Sequence, residues 1–361
     1  MPAGVTPQST VFAVAAALDG RPVDAACDPA AVVERAILHR VSALLARSEW
    51  ARGLPAEHAA ALAEDANLSA FHGALIDDDL RALLRGLHKR GVRCLLTKGA
   101  HFSHRFYPSP LLRPRTDSDL LILPADATAV KAALEECGYS PCDRTSGSVI
   151  LGQFQVQRPM AGGITHVVDV HWRPAAPLVF ERTFDVAATI REGDPLPSLG
   201  PYAHGPSPRR ALALACIHLV AHHWHQILLI WLLDIRLLAE ALDDADGDAV
   251  IDDAVLGRYT ILLDVALKTT RLYFTSAAVD RLIARLAPRI CLDEPGAVLI
   301  QAGRRKVDDL MFDLRVAGWR KGAQLLREHV LPPADYMRAR SSAPLPVAYA
   351  VRLLRGVSRW F

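Results

Sequence analysis

The sequence predicts an α+β fold in which a small sheet-bearing module, residues 91–192, sits between an N-terminal helical region, 1–90, and a C-terminal helical domain, 209–361. Three observations lead there. The apolar period changes from that of a helix to that of a strand near residue 92. The stretch GDPLPSLGPYAHGPSP, residues 193–208, is dense in proline and glycine and marks a boundary. The apolar excess is largely alanine, which favours helix in the flanking regions.

The elements follow in order. In DDDLRALLRGLHKRG, Leu80, Leu83, Leu84 and Leu87 fall at i, i+3, i+4 and i+7, one face of a helix that Gly91 closes. VRCLLTKG, 92–99, reads as a short strand ending at Gly99, followed by a short helix through Phe106 that the YPSP turn stops. DSDLLIL, 117–123, reads as a second strand closed by Pro124. Asp126 to Glu136 reads as a helix with Val130, Ala133, Leu134 and Cys137 on one face, ended by Gly138. VILGQFQVQ, 149–157, and THVVDVHW, 165–172, read as an antiparallel pair around the turn-forming MAGG. The remainder is mainly helical, with no internal repeat.

Composition excludes broad classes. With 361 residues there is ample chain for a buried core, and a charged fraction of 22% argues against wholesale disorder. A net charge of +2 excludes a generic polycation that holds nucleic acid by charge alone. Cys27, Cys94, Cys137, Cys142, Cys216 and Cys291 include no Cys-x-x-Cys pair, which points to a reducing cytoplasm. The N-terminal apolar run lacks a preceding basic residue and is a poor signal peptide. The most apolar segment, ILLIWLL at 227–233, is far short of the roughly 20 residues a bilayer requires and reads as a core helix.

The chemistry concentrates in RPRTDSDLLIL, 113–123. Asp117 and Asp119, two apart on a strand, present both carboxylates to one face. Adjacent like charges repel, and a divalent cation such as Mg²⁺ (or Mn²⁺) bridging them removes the conflict. Asp169 lies within the apolar VVDVHW, where an acid is costly without a partner. It shares its strand face with His171 and Arg173. Three carboxylates on neighbouring strands can hold two ions. Upstream, Lys98-Gly99-Ala100 leads from strand to helix and offers backbone N–H groups, a helix N-terminus and an ammonium to phosphate, although no G-x-x-x-x-G-K-[ST] loop occurs. Arg113 and Arg115 precede the aspartates; their planar forks suit a triphosphate, with a solvated turn held by Pro114 as the alternative reading.

These pieces resemble the nucleotidyltransferase superfamily that includes DNA polymerase β, and more closely the bacterial group called uncharacterised nucleotidyltransferase family 5. The likeness rests on LLTKGA at 95–100, FYPSPLLRPRTDSDLLI at 106–122, VVDVHWR at 167–173, CIHLVAH at 216–222, LLDIRLL at 232–238 and LLREHVLPPADYMRARS near the C-terminus, and runs from about residue 36 to the end. It implies a polymerase β-like core, a small mixed sheet with flanking helices. The implied reaction is transfer of a nucleoside monophosphate from a triphosphate, ATP by expectation, to an acceptor the sequence does not identify. Asp117, Asp119 and Asp169 then match the metal-binding carboxylates, and Gly99 matches the glycine of the phosphate turn. The chain departs at Ala100, where the superfamily has serine.

Other features carry less. His218, His222, His223 and His225 cluster before ILLIWLL. His218, His222 and His225 share a helix face that reads as cleft-lining or a polar seam, with Asp234 a partner for one of them. The acidic run DDADGDAVIDD, 243–253, fails the spacing of a calcium loop and reads as a solvated loop. The last 61 residues hold twelve Lys/Arg against five Asp/Glu, a basic tail that reads as a solvated face or as contacts within the protein, ahead of contact with nucleic acid or an acidic membrane surface. The sequence therefore favours a nucleotidyltransferase acting on a hydroxyl of a small molecule, peptide or protein. A catalytically inactive nucleotide-binding or scaffold protein of a biosynthetic gene cluster is the second reading. An enzyme extending RNA ends is disfavoured by the near-neutral charge. Oligomeric state and nucleobase preference have no signature in the sequence.

Overall fold

The computed structural model describes residues 7–142, 152–224, 226–300, 306–338 and 340–360. Its centre is one sheet built from β1 (Leu95–Thr97), β2 (Asp117–Leu121), β3 (Ser140–Pro141), β4 (Gln153–Pro159) and β5 (Thr165–His171), in the order β1-β2-β5-β4-β3. β2 and β5 run parallel; the other neighbours are antiparallel. The register sets Asp119 beside Asp169, and Asp169 in turn beside Gln155. Because side chains alternate along a strand, this pairing collects the polar residues on one face.

The opposite face is mainly apolar. Leu96, Leu120, Val156, Val168 and Val170 pack against α3 (Ala56–Lys89) and α5 (Ala127–Glu136). The predicted stripe of Leu80, Leu83, Leu84 and Leu87 supplies α3's contact, and Val130, Ala133 and Leu134 supply α5's. Each fully buried leucine or valine contributes roughly 1.5–3 kcal/mol, which fixes the strand register on which the polar face depends.

The polar face looks toward helices. α1 (Pro7–Leu18) and α2 (Pro29–Leu38) share one apolar core with α6 (Pro208–His223), α7 (Leu229–Glu240), α8 (Asp244–Gly257), α9 (Thr260–Tyr273) and α10 (Ala277–Leu286). Leu95 and Leu121 of the sheet join this core, so the N- and C-terminal helices together cover the polar side. α4 (Lys98–Arg105) leaves β1 directly. α11 (Lys306–Val316) and α12 (Trp319–Val330) pack on Leu178, while α13 (Leu345–Trp360) contributes Ala348 to a separate small cluster with Tyr336 and Met337. Within the basic tail, Arg340 donates to Tyr336 Oη at 2.7 Å and Arg352 to the His329 carbonyl at 3.2 Å. No helix among the described residues is long and apolar enough to cross a membrane.

Several elements differ from the sequence expectation. The strand expected to reach Gly99 stops at Thr97, because Lys98 adopts a left-handed φ of 49° and opens α4 instead. The strand expected over 117–123 ends at Leu121, and the one expected over 149–157 occupies 153–159; residues 149–151 lie outside the described residues. Gly162 and Gly163, both at positive φ, turn β4 into β5 as the MAGG reading required. The boundary stretch 193–208 is no loose linker. It holds a ribbon of β6 (Asp194–Pro195) and β7 (His204–Gly205), and Leu196, Leu199 and Ala203 are buried behind the sheet. The acidic run read as a loop forms most of α8, whose N-cap Asp243 accepts from the Asp246 amide and whose Val250, Ile251 and Ala254 are buried. Acids in a first helical turn are favoured by the helix dipole, so their density there conceals a helix start.

Candidate active site

The site is built on the front of β2 and β5. Asp119 is buried, and its Oδ1 accepts from Lys98 Nζ at 2.6 Å and contacts His171 Nε2 at 2.8 Å. Lys98 Nζ and His171 Nε2 are 3.4 Å apart. Asp169 accepts from Gln155 Nε2 at 2.6 Å across the β4–β5 pair. Asp119, Asp169 and His171 bring ligand atoms within 4.8 Å of one another, the arrangement of a possible metal site. Asp117, which the sequence placed in that set, is on the same strand face but outside this group. The group includes His171, which the sequence placed on the strand face of Asp169.

The electrostatics follow from burial with a single cation. Burial raises Asp117 to about 6, reinforced by the charge of Asp119 and opposed by Lys98. Asp169 is raised to about 6 by burial and then by Asp119, against the Gln155 hydrogen bond. Burial also acts to raise Asp119, but the charge of Lys98 and the hydrogen bond from His171 outweigh it and hold this carboxyl well below the usual range. Burial and the Lys98 charge lower His171 and keep it neutral, so its Nε2–H donates to Asp119. Three carboxylates thus face one ammonium.

Lys98 reaches Asp119 because of its backbone. A non-glycine residue at φ 49° is strained. That strain turns the chain out of β1 and starts α4 within reach of the carboxylates. Gly99 and Ala100 follow and are both buried. A Cβ on Gly99 would lie 2.6 Å from Arg113 Nη1, so the glycine clears a path for an arginine.

The two arginines expected to meet triphosphate are turned elsewhere. Arg113 donates from Nε to Asp234 Oδ1 at 2.9 Å and from Nη2 to Asp234 Oδ2 at 2.6 Å; Tyr107 Oη donates to the same Oδ1 at 2.9 Å. Asp234, expected to pair with a histidine, is therefore held by an arginine and a tyrosine. Arg115 is buried against Asp77, which also meets His104 at 3.0 Å. Arg173 is buried beside Gly152, whose positive φ and missing Cβ make room for its guanidinium.

Behind β2, Ser118 Oγ meets His166 Nε2 at 2.9 Å, and His166 Nδ1 meets Asp79 Oδ2 at 2.6 Å. Tyr139 and Arg158 also bind Asp79. The chain Ser118–His166–Asp79 is wholly buried and anchors the strand to α3. Sequence reasoning missed Asp77 and Asp79. The available signal was an acid, Asp77, in register with the stripe Leu80, Leu84 and Leu87 on an apolar helix face.

Of the histidines, His218 and His222 lie on α6 with ring centroids 5.3 Å apart, and the His223 ring lies tilted to Trp231 with centroids 4.0 Å apart. His218 lines a small cavity with Lys98, Phe102, Arg113, Trp231 and Asp234, next to the carboxylate face. His222 Nε2 accepts from the Ala176 amide at 3.3 Å. Burial and then the Lys98 charge keep His218 neutral. His225 lies outside the described residues.

The family described as "Uncharacterised nucleotidyltransferase" matches residues 26–275, a span that contains the whole sheet and α6 to α9. The C-terminal segments that the sequence likened to the family lie beyond it. No curated protein matches. Among solved structures, JHP933 from Helicobacter pylori matches at 10% identity over 61% of this chain and 94% of its own, with a TM-score of 0.29.

Proposed function

The chain belongs to the uncharacterised nucleotidyltransferase family, and on that premise we propose that it carries a polymerase β-like core and moves a nucleoside monophosphate from a nucleoside triphosphate, ATP by preference, to a hydroxyl on a small molecule, peptide or protein, with pyrophosphate leaving. The observation that carries this reading is the convergence of Asp119, Asp169 and His171 on adjacent parallel strands, beside Asp117 and Lys98.

The donor set fits a divalent cation. Carboxylate oxygens suit Mg²⁺ and Mn²⁺, and one imidazole favours Mn²⁺ over a purely oxygen-seeking ion. Asp117, Asp119 and Asp169 would hold two such ions, with His171 as a further donor. The bound ions would supply positive charge to the phosphates and acidity to the acceptor hydroxyl.

The chain's own residues do the rest. Lys98 offers its ammonium to the triphosphate, and the backbone amides opening α4 at Gly99 and Ala100 add donors without charge. Asp169, oriented by Gln155, receives the proton of the attacking hydroxyl. Helices α6 and α7 line the cavity beside Lys98 with His218, Trp231 and Asp234, and the partial burial there strengthens the charge interactions of the polar face. Positioning and charge neutralisation supply the rate, with no covalent enzyme intermediate.

The test is release of pyrophosphate and transfer of label from α-labelled ATP to an acceptor panel, with Mn²⁺ or Mg²⁺ present. Wild-type protein should turn over, and an Asp117→Ala/Asp119→Ala variant should neither turn over nor bind Mg-ATP. Equal binding of Mg-ATP by the two proteins would remove the metal-site assignment. Ala100 favours a second reading, because it lacks the hydroxyl that the superfamily's serine would offer to phosphate. A chain that binds nucleotide tightly yet yields no labelled product across the panel is a nucleotide-binding or scaffold protein.

A further inference from the structure

In RPRTDSD only Asp117 and Asp119 belong to the polar site, while Arg113, Arg115 and Ser118 are tied into the surrounding protein. Arg113 is the most fully engaged. Its Nε and Nη2 edge meets both oxygens of Asp234, and its Nη1 lies 3.4 Å from the Pro114 carbonyl. The Phe102 ring lies 5.7 Å beneath its guanidinium carbon. Asp234 comes from α7, 121 residues away in the chain, and Tyr107 donates to it from the turn after α4. All three side chains are buried.

One guanidinium therefore joins the end of α4, the approach to β2, and α7. It does so beneath the Lys98–Gly99 turn, close enough that a single methyl on Gly99 would strike it. A fork that is doubly hydrogen-bonded to a carboxylate has a fixed plane and a fixed distance, which a lysine cannot reproduce. Buried pairs of this kind are poor net stabilisers, but they define geometry.

We infer that Arg113 is a positioning residue: its pair with Asp234 locks the Lys98–Gly99 turn and the start of β2 against α7, and so sets the spacing of Asp117, Asp119 and Lys98. This rests on the metal-site reading above. It departs from a phosphate-binding role for Arg113, because the edge such a role needs is held by Asp234. It also gives Gly99 a reason independent of phosphate, which is clearance for the strut.

The test is Mn²⁺ affinity of the full chain without nucleotide, read by electron paramagnetic resonance, for wild type, Arg113→Lys, Asp234→Asn, Gly99→Ala and Tyr107→Phe. Circular dichroism and thermal unfolding accompany each titration. Supporting partners of metal ligands typically govern affinity by about tenfold or more. A loss of that size is expected in folded Arg113→Lys, Asp234→Asn and Gly99→Ala, and a smaller one in Tyr107→Phe, which removes one hydroxyl and leaves the ion pair. A purely structural role would lower the melting temperature and leave the affinity of the folded protein unchanged. Unchanged Mn²⁺ affinity in the folded variants overturns the inference, as does an Arg113→Lys variant that loses only ATP affinity. Should the ion-pair variants not fold, Tyr107→Phe decides by the same criterion. Wild-type protein that takes up no Mn²⁺ defeats the metal-site reading itself, a result distinct from equal uptake by all five proteins.

Discussion

Replacing Lys98 by methionine tests whether its ammonium stands in for a cation. Lys98 Nζ is 2.6 Å from Asp119 Oδ1 and 3.4 Å from His171 Nε2, two of the three residues whose donor atoms converge. An ion taking Asp119 must displace that contact. A hydrogen bond to a buried charged group contributes about 1.5–3 kcal/mol. Methionine has similar length and no charge, so Lys98→Met removes that competition with little change in packing. Apo-protein Mn²⁺ affinity should then rise roughly tenfold to a hundredfold, since about 1.4 kcal/mol is a factor of ten. The titration belongs at pH 8, where the carboxyls remain ionised after the ammonium is lost. Affinity for Mg-ATP should move the opposite way, because the triphosphate loses its ammonium. Mn²⁺ affinity that stays level or falls in a folded variant would refute the reasoning and make Lys98 a supporter of the ion rather than its rival.

Asp79→Ala should destabilise the fold by about 1–3 kcal/mol in urea unfolding, because it leaves the buried Tyr139 hydroxyl and His166 without their acceptor behind β2 and takes the partner from the half-buried Arg158; a loss below about 0.5 kcal/mol would show that the network is not under load. His101 gives a pH signature: burial, then the charge of Arg105, lowers it to about 3, and neither ring nitrogen has a partner among the described residues. The unfolded chain takes that proton near pH 6.5 while the folded chain resists until about 3, so stability is full above 6.5 and declines as pH falls toward 3. Between pH 7.5 and 5 the unfolding free energy of wild type should therefore drop by about 2 kcal/mol more than that of His101→Leu; parallel pH curves for the two proteins would contradict this.

What could be read from the sequence was whatever a local period encodes. The alternation in DSDLLIL and VVDVHW placed Asp117, Asp119, Asp169 and His171 on one strand face, and the leucine stripe of α3 named the layer behind it. Two properties set by distant residues could not be read. The arginines of RPRTDSD look like phosphate ligands until Asp234 and Asp77, far off in the chain, are brought to them. The left-handed φ of Lys98 leaves no trace in LLTKGA. The acidic start of α8 was misjudged for another reason. Its buried apolar residues Val250, Ile251 and Ala254 are set among five aspartates that break up the helical period, although the capping Asp243 was itself in plain view.

The partners of the buried acids separate structure from site. Asp234 has Arg113 and Tyr107; Asp77 has Arg115 and His104; Asp79 has Arg158, Tyr139 and His166. Asp264 has Lys268, and Glu294 accepts from Thr260 and the Ile261 amide. Each is matched by donors drawn from nearby elements, as burial of a charge demands. The front of β2 and β5 breaks this pattern. Asp117, Asp119 and Asp169 share Lys98 as the one cation bonded to any of them among the described residues, and burial, then the charge of Asp119, pushes Asp117 and Asp169 to about 6. A fold that finds partners for its other buried acids, yet keeps these three on adjacent strands under two helices, retains a charge imbalance that a divalent cation would remove. It is this contrast, more than the Asp-x-Asp spacing, that supports the proposed metal-binding role of the face.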